Sequence, residues 1–202
     1  MASILDFLES DTGKQFIQKS SKEVDESPEK VKSALGMALP MLLGAMKNNS
    51  QSEDGKENLN KALEDEKHDG SVLDNLKSGN ISALLEEGSG VVKHIFGGKQ
   101  GSIAEGVGSA VGMESSKVTK LLQMAAPVVM GILGKQKRKD QVGKGGISDL
   151  LGSVLGTNSS HDQSLLETFM DSAGDGTIAK DVAGKLFGGK DKSKGLGSFF
   201  KG

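Results

Sequence analysis

The chain has 202 residues, and its 25 Lys and Arg against 27 Asp and Glu leave a formal net charge of -2, so no overall field draws it to nucleic acid or acidic lipid. It contains no Cys, which excludes a disulfide framework, a thiolate metal site and a thiol nucleophile, and fits a reducing, cytoplasmic setting. Trp and Tyr are also absent and Gly is used 29 times, while a hydrophobic share of 35% is enough for a packed core.

The N-terminal stretch MASILDFLESDTGK carries neither the basic region nor the long apolar run of a secretory leader. Short helices are expected near 2–9 and 12–24. Ser27, Pro28 and Glu29 then mark a helix start: a cap, a proline at the first position and an acid at the positive end of the dipole. From there a long helix is predicted to residue 47. Val31, Leu35, Ala38, Leu39, Leu42 and Met46 share one face, and Ala34, Met37, Met41 and Ala45 cover much of the rest. A helix apolar nearly all round belongs in a core. Its run MALPMLLGAMK is bracketed by Lys32 and Lys47 and falls short of the roughly 20 apolar residues that span a bilayer.

Residues 48–56 read as a loop and 54–66 as a polar helix. Short helices are predicted at 71–76, 81–87 and 89–96, and a further one at 100–111 that ends at Gly112. A second long helix follows at 115–137, with Val118, Leu122, Ala125, Val129 and Leu133 on one side and Leu121, Met124, Val128 and Ile132 beside it. Residues 139–146 read as a joint, and helices are expected at 147–155, 162–170 and 178–187 before a flexible tail at 188–202. No useful stretch alternates with period two, so the class is all-α.

The two long helices repeat one phrase. Pro40 and Pro127 stand 87 residues apart, and the same offset pairs Lys30 with Lys117, Val31 with Val118, Leu35 with Leu122, Met37 with Met124, Ala38 with Ala125 and Gly44 with Gly131. HDGSVLDNL at 68–76 is echoed by GDGTIAKDV at 174–182, and HIFGGK at 94–99 by KLFGGK at 185–190. Self-similarity of this kind points to a multi-helix bundle with an internal pseudo-twofold repeat built on two long Pro-kinked core helices. An interior proline deletes one hydrogen bond and clashes with the carbonyl four residues back, at about 3 kcal/mol. Each proline therefore predicts a bend and a freed carbonyl, near Gly36 and Gln123.

The HDGS turn (His68 to Ser71), the segment from Gly90 through Gln100, the helix start from Gly112 to Ser115, and LQMAAPVVMG from Leu122 to Gly131 resemble the bacterial domain-of-unknown-function family 937, related to the YidB-like proteins. The resemblance covers about residues 15–138. It implies a helical bacterial cytoplasmic protein and supplies no reaction. The organisation expected is a helical core domain at 1–138, internally duplicated, a C-terminal helical extension at 139–187 and the tail at 188–202.

Five stretches invite chemistry. DSAGDGTIAKDV at 171–182 resembles a calcium loop, with Asp171 and Asp175 as ligands, Gly176 at the sharp turn and Ile178 in the apolar slot. Ala173 and Val182 stand where two further oxygen donors belong, so a helix-capping turn competes with weak calcium binding. His68, Asp69 and Ser71 adjoin in sequence, but a triad is defined by geometry, and Asp69 or Ser71 can simply cap the helix that follows. His94 reads as a packed histidine bonded to a backbone carbonyl, His161 as a loop residue, and the three histidines show no metal spacing. EGVGSAVG at 105–112 does not match a phosphate loop and reads as close helix packing. KQKRK at 135–139 complements a helix C-terminus or offers an anionic-surface or nucleic-acid contact, with no aromatic platform beside it. The tail LGSFFKG, with Phe199 and Phe200, suggests a segment that docks in a groove. The reading these features support is a non-enzymatic protein acting by self-association or by binding a protein partner, with no cofactor, and with calcium response or anionic-surface binding as alternatives.

Overall fold

The computed structural model describes residues 3–78 and 81–156. Among them nine α-helices follow one another: α1 (Ile4–Glu9), α2 (Asp11–Val24), α3 (Pro28–Asn49), α4 (Glu53–Glu64), α5 (Ser71–Ser78), α6 (Ser82–Phe96), α7 (Gln100–Val111), α8 (Ser115–Lys139) and α9 (Ile147–Leu155). No strand occurs among the described residues, so the fold is all-α. None of these helices is long and apolar enough to cross a membrane.

Local signals set the helix boundaries. Ser3 and Asp6 form a capping box on α1, and Ser10, Ser27 and Ser52 cap α2, α3 and α4 by accepting the N–H groups of Gly13, Lys30 and Gly55. Asp25 and Gly112 end α2 and α7 in the left-handed conformation, with φ of 51° and 67°. In both caps the residue itself donates its N–H to the carbonyl four back, and the next residue donates to the same carbonyl: Ser21 for Asp25 and Glu26, Gly108 for Gly112 and Met113.

The core is a single cluster centred on α3 and α8, which pack on each other. α7 and α6 lie on α8, α9 and α7 on α3, and α4 on α8. Pro40 lies inside α3 and Pro127 inside α8, and both helices continue past their prolines. The offset of 87 carries through to burial. Every buried position of α3 maps onto a buried position of α8 except Ala45, whose counterpart Ile132 is half-buried. Phe16, Ile17, Ser20 and Ser21 of α2 map in the same way onto Ile103, Ala104, Val107 and Gly108 of α7.

One expected break is absent. The pair of helices anticipated at 81–87 and 89–96 is one continuous α6. Gly88 does not end it, because that glycine packs against α8: a Cβ built there would overlap the Gln123 carbonyl. This is the carbonyl whose helical partner Pro127 removes. A glycine on the neighbouring helix thus lets backbone approach backbone at the point where a hydrogen bond is missing. The polar helix anticipated to residue 66 stops at Glu64 and gives way to a 3-10 turn at Glu66–His68.

Candidate functional site

α4 and α6 both lean on α8 and leave a cleft of about 650 Å³ between them. Its floor is apolar. Met46 comes from the end of α3 and Met130 from α8, and both are buried. Leu59 and Ala62 of α4 form one wall and Val91 and Ile95 of α6 the other, all half-buried. Gly90 of α6 also faces the opening, and a Cβ there would meet nothing within 4 Å. A cavity of this size with an apolar floor and a few polar groups at its edge is the form binding sites take.

Three polar residues of the rim, Asn49, Ser52 and His68, are bonded within the chain. Asn49 Nδ2 donates to the Ile95 carbonyl at 2.9 Å and ties α3 to α6 at the mouth. Ser52 Oγ accepts the Gly55 N–H at 3.0 Å as the cap of α4. His68 closes one end. Its ring is buried, Nδ1 lies 2.6 Å from the Ala62 carbonyl, and it must carry the proton in that bond. Nε2 lies 3.3 Å from Glu87 Oε1 of α6, an ion pair only when the imidazole is protonated. The His68 carbonyl packs where a Cβ on Gly134 of α8 would stand, and it accepts from Arg138 Nη1 at 3.0 Å.

Ion pairs fix α4 as the outer wall. Lys137, nearly buried, bonds Glu64 Oε1 at 2.9 Å, and that bond is the main reason the Glu64 carboxyl is held below the ordinary range. Arg138 Nη2 donates to the carbonyls of Glu64 at 3.2 Å and Asp65 at 2.9 Å, where α4 ends. Lys144 bridges Glu57 at 3.1 Å and Glu53 at 3.5 Å, lowering Glu57 chiefly through its own bond while its own ammonium is raised.

These positions correct or refine several expectations. The basic run at 135–139 supplies the last turn of α8 with cations, as expected, and through Lys137 and Arg138 also binds the C-terminal end of α4. Lys137 is therefore buried, while Arg138 stays exposed with its guanidinium on the backbone carbonyls. His68, Asp69 and Ser71 do not assemble as a triad: Asp69 Oδ1 accepts the Ser71 N–H at 2.7 Å, while the His68 ring points to Ala62 and Glu87. The bond to Ser71 also holds the Asp69 carboxyl low. His94 is exposed on the cleft wall rather than packed, because α6 turns that face toward the opening. Among the described residues no group of three or more His, Cys, Asp or Glu could hold a metal ion. Asp171, Asp175, His161 and the tail with Phe199 and Phe200 lie outside the described residues.

The cleft itself was missed from sequence, and its signals were weak. Met46 and Met130 look like any core methionine, and only the amide-rich NNSQSED marks the approach to α4.

The model of the family described as bacterial protein of unknown function (DUF937) matches residues 6–136. The chain belongs to this family. No curated protein and no solved structure matches it. The matched span runs from α1 through most of α8, so all of the cleft lies within the family region.

Proposed function

We propose that this DUF937 protein acts by binding protein rather than by catalysis, and that the cleft between α4 and α6 is its contact surface. The observation that carries this reading is a cleft whose half-buried apolar walls, Leu59, Ala62, Val91 and Ile95, stand over a buried floor of Met46 and Met130, with Asn49, Ser52 and His68 of the rim bonded within the chain. A concavity with half-buried apolar walls gains most from a complementary apolar side chain. The occupant is an apolar segment of a partner protein, with a second copy of this chain as the competing occupant. In this reading the chain is cytoplasmic, with a core at 1–138, an extension at 139–187 and a tail at 188–202. The nucleic-acid alternative is weakened because Lys137 and Arg138 are already engaged by Glu64, Asp65 and His68.

The same reading includes an internal duplication. α2–α3 and α7–α8 are two copies of one helix pair about a pseudo-twofold axis, each long helix bent at its proline. The reciprocal bonds of Lys30 to the Gly112 carbonyl and Lys117 to the Asp25 carbonyl support it, because both pairs obey the offset of 87.

Gly90→Leu tests the binding claim, since it fills the cleft without displacing a core atom and raises helix propensity. A protein retained from bacterial lysate by the immobilised wild-type chain and lost by Gly90→Leu is the expected result. Equal retention by both would contradict it, and a concentration-dependent mass abolished by Gly90→Leu would identify the occupant as a second copy.

A further inference from the structure

The turn before α5 and α5 itself cover one face of α8. Val72 Cγ1 and the Gly70 Cα lie against Gly131, the Lys135 stem lies against Gly70, and the His68 carbonyl lies against Gly134. Gly88 of α6 covers the same face about two turns further back, at Gln123. As a result Pro127, Gly131 and Gly134 are buried. Lys19 of α2 donates to the Leu76 carbonyl, so α5 bridges α8 and α2.

The equivalent face of α3, 87 residues earlier, consists of Gly36, Pro40, Gly44 and Lys47. All four are half-buried rather than buried. A Cβ built on Gly36 meets nothing within 4 Å, whereas one at its counterpart's covering glycine would overlap backbone. α3 therefore keeps the proline and glycine of that face, Pro40 and Gly44, less covered than Pro127 and Gly131, and is open at Gly36.

The chain holds a second copy of the covering sequence. Asp69, Gly70, Ser71 and Val72 reappear as Asp175, Gly176, Thr177 and Ile178, an acid and a glycine followed by a hydroxyl and a β-branched residue. The described chain ends at Gly156, directly after α9, which packs on α3. The 19 residues from there to Asp175 can extend roughly 60 Å, ample to return to α3.

We propose that residues 175–182 dock on the α3–α7 face of the same chain, with Ile178 over Gly44 as Val72 sits over Gly131. The proposal rests on the duplication reading above and adds an occupant to it. Asp175 then has the role of Asp69, accepting the backbone N–H two residues on, at Thr177. That role competes with the calcium-ligand reading of the same carboxylate, because the acid is then a turn-forming group.

The absence of Cys makes the test direct. In the full chain, Gly44→Cys with Ile178→Cys is oxidised mildly and followed as a disulfide-linked monomer, beside Lys32→Cys with Ile178→Cys as a control and Val72→Cys with Gly131→Cys as the reference seat. The expected result is crosslinking of the 44–178 pair at least tenfold faster than the 32–178 control. Equal rates, or a crosslinked dimer, would overturn the docking. If the 44–178 pair fails while the 72–131 pair forms, docking alone is lost and the duplication stands. Should Gly44→Cys unfold the chain, Ile178→Asp in an otherwise native chain replaces it: cleavage within 157–202 by a non-specific protease should accelerate about tenfold, and an unchanged rate would overturn the proposal.

Discussion

Lys30 and Lys117 each reach across to the end of the other's neighbouring helix. Lys30 Nζ donates to the Gly112 carbonyl at 3.1 Å, and Lys117 Nζ donates to the Asp25 carbonyl at 2.9 Å. Asp25 and Gly112 are the left-handed caps of α2 and α7, so each cation sits at the negative end of a helix dipole. Both lysines also bond Glu26, at 3.3 Å and 3.0 Å, which draws the two bonds into one cluster. Lys117 is the more enclosed, with 28% of its side chain exposed against 46% for Lys30. Lys117→Met should therefore cost about 1 kcal/mol and Lys30→Met only a few tenths, as measured by urea denaturation. Equal effects would contradict the asymmetry.

Glu26 makes this cluster sensitive to acid. The Lys117 hydrogen bond, opposed by partial desolvation, holds its carboxyl below the ordinary glutamate range. The folded state then binds the proton less tightly than the unfolded chain. Its contribution is complete above the ordinary value of about 4.3 and is lost as pH falls through the folded value. As pH falls below about 4.3 the Tm of the wild-type chain should fall more steeply than that of Glu26→Gln. Parallel curves would count against the cluster.

The two caps differ in residue and match in geometry, so exchanging them should move stability in opposite directions. Asp25→Gly relieves a non-glycine residue held at φ 51° and should stabilise by up to about 1 kcal/mol. Gly112→Ala forces a side chain into φ 67° and should destabilise by about 1 kcal/mol. Thermal melts followed by circular dichroism check both signs.

Two glycines of α6 separate packing from propensity. Gly88→Ala places a methyl on the Gln123 carbonyl and should destabilise by about 1–3 kcal/mol, despite the better helix former. Gly90→Ala points into open space and should stabilise by about 0.5–1 kcal/mol. A gain from both substitutions would mean that α6 does not approach α8 as closely as described.

The helices were legible in sequence because their signals are local. Ser27-Pro28-Glu29 starts α3 where a cap, a proline and an acid say it should, and Gly112 stops α7. The offset of 87 was legible from Pro40 and Pro127, because similar burial of the apolar positions demands similar apolar spacing. What could not be read was relative placement. Gly88 looks like a helix breaker until α8 is seen against it, and His94 looks packed until α6 is seen to turn that face outward. Lys137 and Arg138 look like a surface charge run, yet their partners at Glu64, Asp65 and His68 lie some seventy residues away. The cleft is a space between helices, and no single helix encodes it.

Hydrogen exchange on the full chain, alone and saturated with the protein it retains from lysate, tests the central claim most directly. Binding in the cleft should slow exchange of the backbone amides at 53–62 and 90–95, and Gly90→Leu should abolish that slowing. Slowing confined to α1 and α2, or undiminished in Gly90→Leu, would contradict the assignment of the cleft between α4 and α6 as the binding surface.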